Sequence, residues 1–173
     1  CEYANERWLH GRGWPDHLPT RAVARAAAAE MHSGFAALRT QLPMNVRRTP
    51  DAYRWDDAAQ RDIDRVQQLW RQLREAYGAN GAFLCGGFGI VDAMFAPVAF
   101  RFAGYGVPMD NVATTYVQTL FALPAMHEWQ AASEAAAMAA ETSGEPRTDP
   151  RYYDLAGSFE LAEIEEQHAA EVD

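Results

Sequence analysis

A glycine-rich stretch that leads straight into an apolar segment constrains the fold of this chain most. Residues 86–89 read Gly-Gly-Phe-Gly, and glycine tolerates backbone angles that other residues avoid, so the stretch predicts a tight turn. Residues 90–102 are apolar on nearly every side of a helical projection, which is typical of a helix in the middle of a bundle. The sequence therefore predicts a buried central helix that starts at this turn.

The start of this helix carries the residues of an N-terminal cap. Gly89 is an acceptable N-cap, and Asp92 can accept the free N–H groups of the first turn and favours the positive end of the helix dipole. Phe88 precedes the cap and is expected to pack onto Ala93 or Met94 as a hydrophobic staple. A buried carboxylate could also serve acid–base chemistry, but we expect Asp92 to be a folding determinant and not a reagent.

Apolar residues at spacings of three and four predict helices through most of the chain. No segment shows the alternation of a half-buried strand. We therefore expect an all-α fold, a bundle of about five helices around the buried one. The predicted helical segments are 1–10 (the end of a helix), 20–42, 56–77, 90–104, 110–121 and 124–140.

Charge and composition divide the chain into a nearly neutral body and an acidic tail. The net charge is −9, of which residues 141–173 carry −8 (ten acids, two arginines) and the first 140 carry −1. Phosphate binding needs a basic face, so nucleic acid is not an expected partner. No apolar run approaches the roughly 20 residues that span a bilayer, so no membrane partner is expected either.

Cysteine, histidine and lysine usage narrows the chemistry. Two cysteines, Cys1 and Cys85, make no disulfide framework, which favours a reducing cytoplasm. The chain has no lysine, which excludes lysine nucleophiles and Schiff bases. No metal is expected, because neither cysteine has a CxxC partner and no histidine pair has ligand spacing. The histidines are His10, His17, His32, His127 and His168.

The segment 88–98, Phe-Gly-Ile-Val-Asp-Ala-Met-Phe-Ala-Pro-Val, resembles the N-capping box and hydrophobic staple of cytosolic glutathione transferases. In that family the motif opens the central helix of the C-terminal helical domain. Residues 100–107 continue the match in the style of bacterial members, and residues 30–45 resemble the first long helix. With a late-helix segment at 123–129, the resemblance covers roughly residues 1–140. The family has Ser or Thr where this chain has Gly89, an exchange that typically costs a few tenths of a kcal/mol.

The resemblance implies a division of the chain and a limit on its chemistry. Residues 1–10 resemble the last helix of the family's thioredoxin-like domain, 11–19 a linker, 20–142 the helical domain and 143–173 an acidic, partly irregular tail. The thioredoxin-like domain binds most of the glutathione and activates its thiol. We therefore expect no catalytic residue in this chain and no transferase activity from residues 1–173 alone. Glutathione as cosubstrate, a small hydrophobic electrophile and a homodimer follow from the same resemblance.

The resemblance also implies which residues form the electrophile pocket, since the family's first long helix supplies most of its apolar wall. On that basis Met31 and Phe35 are expected to line the pocket, with Arg39 and Tyr105 as further members. His32 is expected at the cleft or the subunit interface. The alternative is that Met31 and Phe35 are core residues and that Arg39 is a solvated helix charge.

Two other functions remain open from the sequence. The chain could be a non-catalytic interaction module that resembles the glutathione transferases without their chemistry. It could also be an unrelated helical binding bundle, which would be favoured if residues 86–97 did not form a turn into a buried helix.

Overall fold

In a computed structural model, residues 1–143 are described, and their regular structure is helical throughout. This agrees with an all-α fold, although the helices number seven, not about five. The predicted acidic tail beyond Ser143 lies outside the described residues. The helices are α1 Glu2–Arg7, α2 Leu18–Ser33, α3 Ala36–Gln41, α4 Asp57–Tyr77, α5 Ile90–Gly104, α6 Asn111–Phe121 and α7 Pro124–Ser143, with a short 3-10 turn Gly78–Asn80.

The central helix is α5, which is enclosed by α2 on one side and α6 on another, while α4 packs against α3 and α6. The core is centred on Trp70 of α4, whose ring contacts Phe95 and Phe102 of α5 and Tyr116 of α6. All four side chains are at most 1% exposed. The continuous apolar surface of α5 is thus explained by neighbours on several sides.

Aspartate caps fix the start of two further helices. The side chain of Asp56 accepts hydrogen bonds from the backbone N–H groups of Ala58 and Ala59 at 2.9 and 3.0 Å. The side chain of Asp110 accepts one from Ala113 at 2.8 Å. Each carboxylate satisfies donors that the first turn leaves free, so α4 and α6 begin at the residues that the sequence indicates.

The prediction of one long helix over residues 20–42 is wrong, because the helix is interrupted between Ser33 and Ala36. Phe35 adopts the left-handed conformation (φ 59°, ψ 41°), which an L-residue normally avoids. The break is compensated by two side chains from outside α2. Asp62 of α4 accepts a hydrogen bond from the Leu38 N–H at 3.0 Å. The Arg39 guanidinium donates to the carbonyls of Met31, His32 and Gly34, which are left open at the end of α2.

The buried face of α2 is made of small residues. Ala24, Ala27 and Ala28 are at most 7% exposed, whereas Val23 is 38% exposed. Alanines allow the α2 backbone to approach α5 closely, which leaves Met31 as the one large side chain on this face.

Candidate functional site

The start of α5 is held by one carboxylate that reaches three segments of the chain. Asp92 is fully buried, and its Oδ2 accepts the Gly89 N–H at 2.9 Å. Its Oδ1 accepts the Leu84 N–H at 3.1 Å and the Tyr116 hydroxyl at 3.0 Å. Burial raises the pKa of Asp92, and the hydrogen bonds from Leu84, Gly89 and Tyr116 oppose that rise. Because all its hydrogen-bond donors are backbone N–H groups or a core tyrosine, the carboxylate acts as a cap for the start of α5.

The turn before α5 is stabilised from within. Phe88, expected to pack onto Ala93 or Met94, instead has its ring 5.3 Å from that of Phe83 in an edge-on arrangement and stays 51% exposed. The Arg74 guanidinium of α4 donates to the carbonyls of Gly78, Gly81 and Phe83. The turn is therefore fixed by a ring contact and by an arginine that the sequence did not single out.

The first residues of the chain are tied to this same region. Asn5, which is buried on α1, accepts the Gly13 N–H at 2.8 Å, and the Gly13 carbonyl accepts the Ile90 N–H at 2.8 Å. A Cβ at position 13 would lie 2.8 Å from the Asn5 Oδ1, so the close approach requires glycine there. Through this chain of bonds α1 and the linker are positioned against the first turn of α5.

Between α1, α2 and the start of α5 lies an open depression of about 430 Å³, which we call the α1–α2–α5 cleft. One side is polar: the Trp14 indole N–H donates to Glu2 at 2.9 Å, and the Arg25 guanidinium lies 5.4 Å above the Trp14 ring and 3.9 Å from Glu2. The other side is apolar, and there the Cys1 thiol contacts the Met94 sulfur at 3.9 Å. The cleft is lined by Cys1, Glu2, Trp14, Arg25, Ala28, Ala29, His32, Ile90 and Met94.

The structure distributes the predicted pocket residues over different environments. Met31 and Phe35 are each only 7% exposed and belong to the main core. This differs from the pocket-lining position expected of them and matches the alternative of a core position. The physical reason is the alanine face of α2, which lets the helix close over Met31. His32, by contrast, is exposed and lines the α1–α2–α5 cleft.

Arg39 and Tyr105 hold loops and do not line the cleft. Arg39 is an exposed residue whose guanidinium closes the end of α2 as described above. The Tyr105 hydroxyl donates to the Pro43 carbonyl at 3.0 Å, and the Arg48 guanidinium covers the Tyr105 ring at 4.0 Å. Burial is the main reason that the pKa of Tyr105 is raised. Both side chains therefore have structural partners.

Arg101, on the last turns of α5, is a residue that sequence reasoning missed. Its Nε donates to the Leu42 carbonyl at 2.9 Å and its Nη1 to the Pro97 carbonyl at 3.2 Å. Burial and the nearby charge of Arg39 lower the pKa of Arg101 to about 10. The sequence signal for this role was an arginine inside an apolar helix. A buried guanidinium needs carbonyl or carboxylate partners, so such an arginine indicates a structural contact.

The Cys85 thiol should react far more slowly than the Cys1 thiol. Burial, with the negative charge of Asp92, raises the pKa of Cys85 to about 11, so roughly a thousandth of it is thiolate at pH 8. Cys1 is exposed. Alkylation with iodoacetamide at pH 8, followed by mass spectrometry, should give rapid single labelling that Cys1→Ser abolishes. Rapid labelling of Cys85 in Cys1→Ser would contradict the raised pKa of this half-buried thiol.

The described residues also bear on metals and membranes. Among the residues whose side chains the structure describes, no three His, Cys, Asp or Glu side chains are grouped so that they could hold a metal ion. In the same part of the chain, no helix has the length and apolar character needed to cross a bilayer.

The chain matches no family model and no curated protein. Among the described residues, the α1–α2–α5 cleft is an open depression that presents both polar and apolar groups.

Proposed function

We propose that this chain is the helical domain of a glutathione transferase and that its α1–α2–α5 cleft faces a thiol-activating, thioredoxin-like domain. The observation that carries the proposal is the capped start of the buried helix. Asp92 binds the Gly89 N–H three residues before it, at the beginning of a helix that is apolar on nearly all sides. This is the geometry that the resemblance of residues 88–98 implies.

The exposed apolar residues near the start of the chain support an interdomain contact. Tyr3, Leu9 and Leu18 are 51%, 43% and 71% exposed, and Val23 of α2 is 38% exposed. Tyr3 lies on α1, and Leu18 and Val23 lie on α2. A second domain placed over α1 and α2 would remove these side chains from water.

In this proposal the chain contributes binding and shape, and the chemistry comes from the partner domain. Glutathione reacts as a thiolate, which requires a group that lowers the pKa of its thiol. The cleft offers instead an apolar side, with Ile90 and Met94, on which an uncharged electrophile can lie. Its task is to position that electrophile and to exclude water from the thiolate. Met31 and Phe35 act from behind this wall by holding α2 in place.

The proposal is tested by joining the full chain to the thioredoxin-like domain of a bacterial glutathione transferase. Conjugation of glutathione to 1-chloro-2,4-dinitrobenzene is then measured for the joined protein and for each part. We expect turnover well above either part alone, and only the spontaneous rate from the chain by itself. A joined protein that is no faster than the thioredoxin-like domain alone would overturn the proposal.

A matched pair of variants locates the effect at the cleft. Ala29 is exposed and lines the cleft, and Ala26 is exposed on α2 without lining it. In the joined protein, Ala29→Trp should fill the cleft and reduce turnover by about tenfold or more, because small displacements of a reactive pair cost much of the rate. Ala26→Trp should leave turnover unchanged. Equal losses in both variants would argue against the cleft as the site.

The proposal includes a homodimer in the cytoplasm whose interface involves the first two long helices, α2 and α4. These helices are joined by a salt bridge in which Arg65 binds Glu30 through two nitrogens, at 2.7 and 3.0 Å. The pair sets their relative orientation and so the shape of the surface that a second copy would meet. Analytical ultracentrifugation of the joined protein measures its oligomeric state. A monomer at every concentration would contradict the proposed dimer.

A further inference from the structure

A second apolar cluster lies beside the main core. Ala96 and Phe100 of α5 and Met126 of α7 form its buried part, with Phe121 and Leu123 packed around it. Above this cluster, between the loop after α3 and helix α7, is a space of about 240 Å³ that we call the α7 groove. It shares no lining residue with the α1–α2–α5 cleft. It is lined by Met44, Asn45, Val46, Trp129, Ala132, Ser133 and Ala136.

Hydrogen bonds just before and within the loop after α3 fix the wall that this loop forms in the α7 groove. Just before it, the carbonyls of Leu42 and Pro43 accept from Arg101 and Tyr105 of α5. Within it, the Asn45 Oδ1 accepts the Arg47 N–H at 3.0 Å. A wall held at its base in this way cannot easily move inward to fill the space, so the groove is preformed.

The helix wall leaves the space open because its residues are small. Ala132, Ser133 and Ala136 face a loop that presents Met44 and Val46. The only large residue on this wall is Trp129, whose ring stands edge-on to Phe100 at 5.2 Å. The groove is therefore lined by one aromatic ring, that of Trp129, and by an alanine side that fills little of it.

We infer that the α7 groove binds a small, uncharged aromatic molecule that carries one hydrogen-bonding substituent. A cavity of about 150 Å³ is enough to hold benzene, so 240 Å³ admits a two-ring compound. The Met44 sulfur and the Trp129 ring favour an aromatic partner over an aliphatic one. The Asn45 amide and the Ser133 hydroxyl can bond one polar group. No lining side chain is ionisable, which disfavours a charged ligand.

The test is calorimetric titration of the full chain with 2-naphthol, with two α7 variants as a matched pair. Ala132 lines the groove, and the adjacent Ala131 is exposed without lining it. Ala132→Leu should weaken binding by about tenfold or more, because the added side chain occupies the ligand's space. Ala131→Leu should bind as the wild type does. Absence of binding by the wild type, or equal affinities of the two variants, would overturn the inference.

Ligand comparisons test the chemistry of the groove. Relative to 2-naphthol, 2-naphthoate should bind about tenfold more weakly or worse, because its carboxylate meets no cation in the groove. Ser133→Ala should weaken the binding of 2-naphthol but not that of naphthalene. Tighter binding of 2-naphthoate would overturn the assignment of an uncharged ligand.

Two competing occupants are distinguished by the same assay. A peptide of residues 144–173 that displaces 2-naphthol would show that the groove belongs to the acidic tail and would overturn the inference. Affinity for 2-naphthol that falls as protein concentration rises would show that a second copy occupies the groove, with the same consequence. Neither readout uses transferase activity, so the result is independent of the proposed function.

Discussion

Asp92→Ala should destabilise the protein by about 3–5 kcal/mol, a large part of the stability of an ordinary domain. The substitution removes the acceptor of three hydrogen bonds and leaves the N–H groups of Leu84 and Gly89 and the Tyr116 hydroxyl unpaired. The Tyr116 side chain is 1% exposed, so water cannot easily replace the lost acceptor there. Urea denaturation monitored by circular dichroism measures the loss.

Two variants separate this effect from ordinary capping. Asp92→Asn keeps the size and one acceptor oxygen but turns an NH₂ group toward a donor, so we expect an intermediate loss. Asp110→Ala removes a partly exposed cap together with the ion pair that Asp110 forms with Arg71, and should cost only about 1–2 kcal/mol. If Asp92→Ala cost no more than Asp110→Ala, the buried network around Asp92 would contribute nothing beyond a surface cap.

Trp70→Ala should cost about 3–5 kcal/mol, because it opens a cavity where α4, α5 and α6 meet. The Trp70 side chain is fully buried, and three aromatic rings lie 4.9–5.8 Å from its own. Such edge-on and tilted contacts add to the burial of apolar area. The free energy of unfolding is again measured in urea, and a loss below about 2 kcal/mol would contradict the central position of this residue.

Trp70→Phe should lower the free energy of unfolding by much less than the volume it removes would suggest. Among the described residues the buried Trp70 indole N–H has no hydrogen-bond partner, so phenylalanine removes an unpaired polar group while it loses volume. Trp55→Phe is the matched control, since the Trp55 indole N–H donates to Gln60 at 2.8 Å. That variant loses a bond and volume at a half-buried place. A larger loss from Trp70→Phe than from Trp70→Ala would contradict this account.

The helix starts could be predicted from the sequence because their causes are local. Asp56, Asp110 and Asp92 each act on N–H groups within three residues, and such spacings are visible in the sequence. The break at Phe35 could not be predicted in the same way. Its compensation comes in part from Asp62, 24 residues away from Leu38 in the chain. Helical periodicity continues across the break and gives no sign of it.

The candidate site was less accessible to prediction than the fold. His32, expected at the cleft or the subunit interface, lines the α1–α2–α5 cleft, whereas Met31 and Phe35 are buried in the core, because the face that α2 buries depends on how closely it approaches α5. Trp14 and Glu2 are placed at the cleft by the hydrogen bond between Asn5 and Gly13, which joins α1 to the linker. No sequence pattern relates these two segments. The α7 groove depends on small residues of α7 opposite a loop that is 80 or more residues earlier in the chain.

The bonds of Asp92 also have a consequence for the order in which the chain can fold. They join residues that are 3, 8 and 24 positions apart, so the loops closed on forming them are short and cost little chain entropy. The turn, α5 and α6 can therefore assemble as one local unit before α1 or α2 arrives. The middle of the chain would then serve as the template on which the helices at both ends dock.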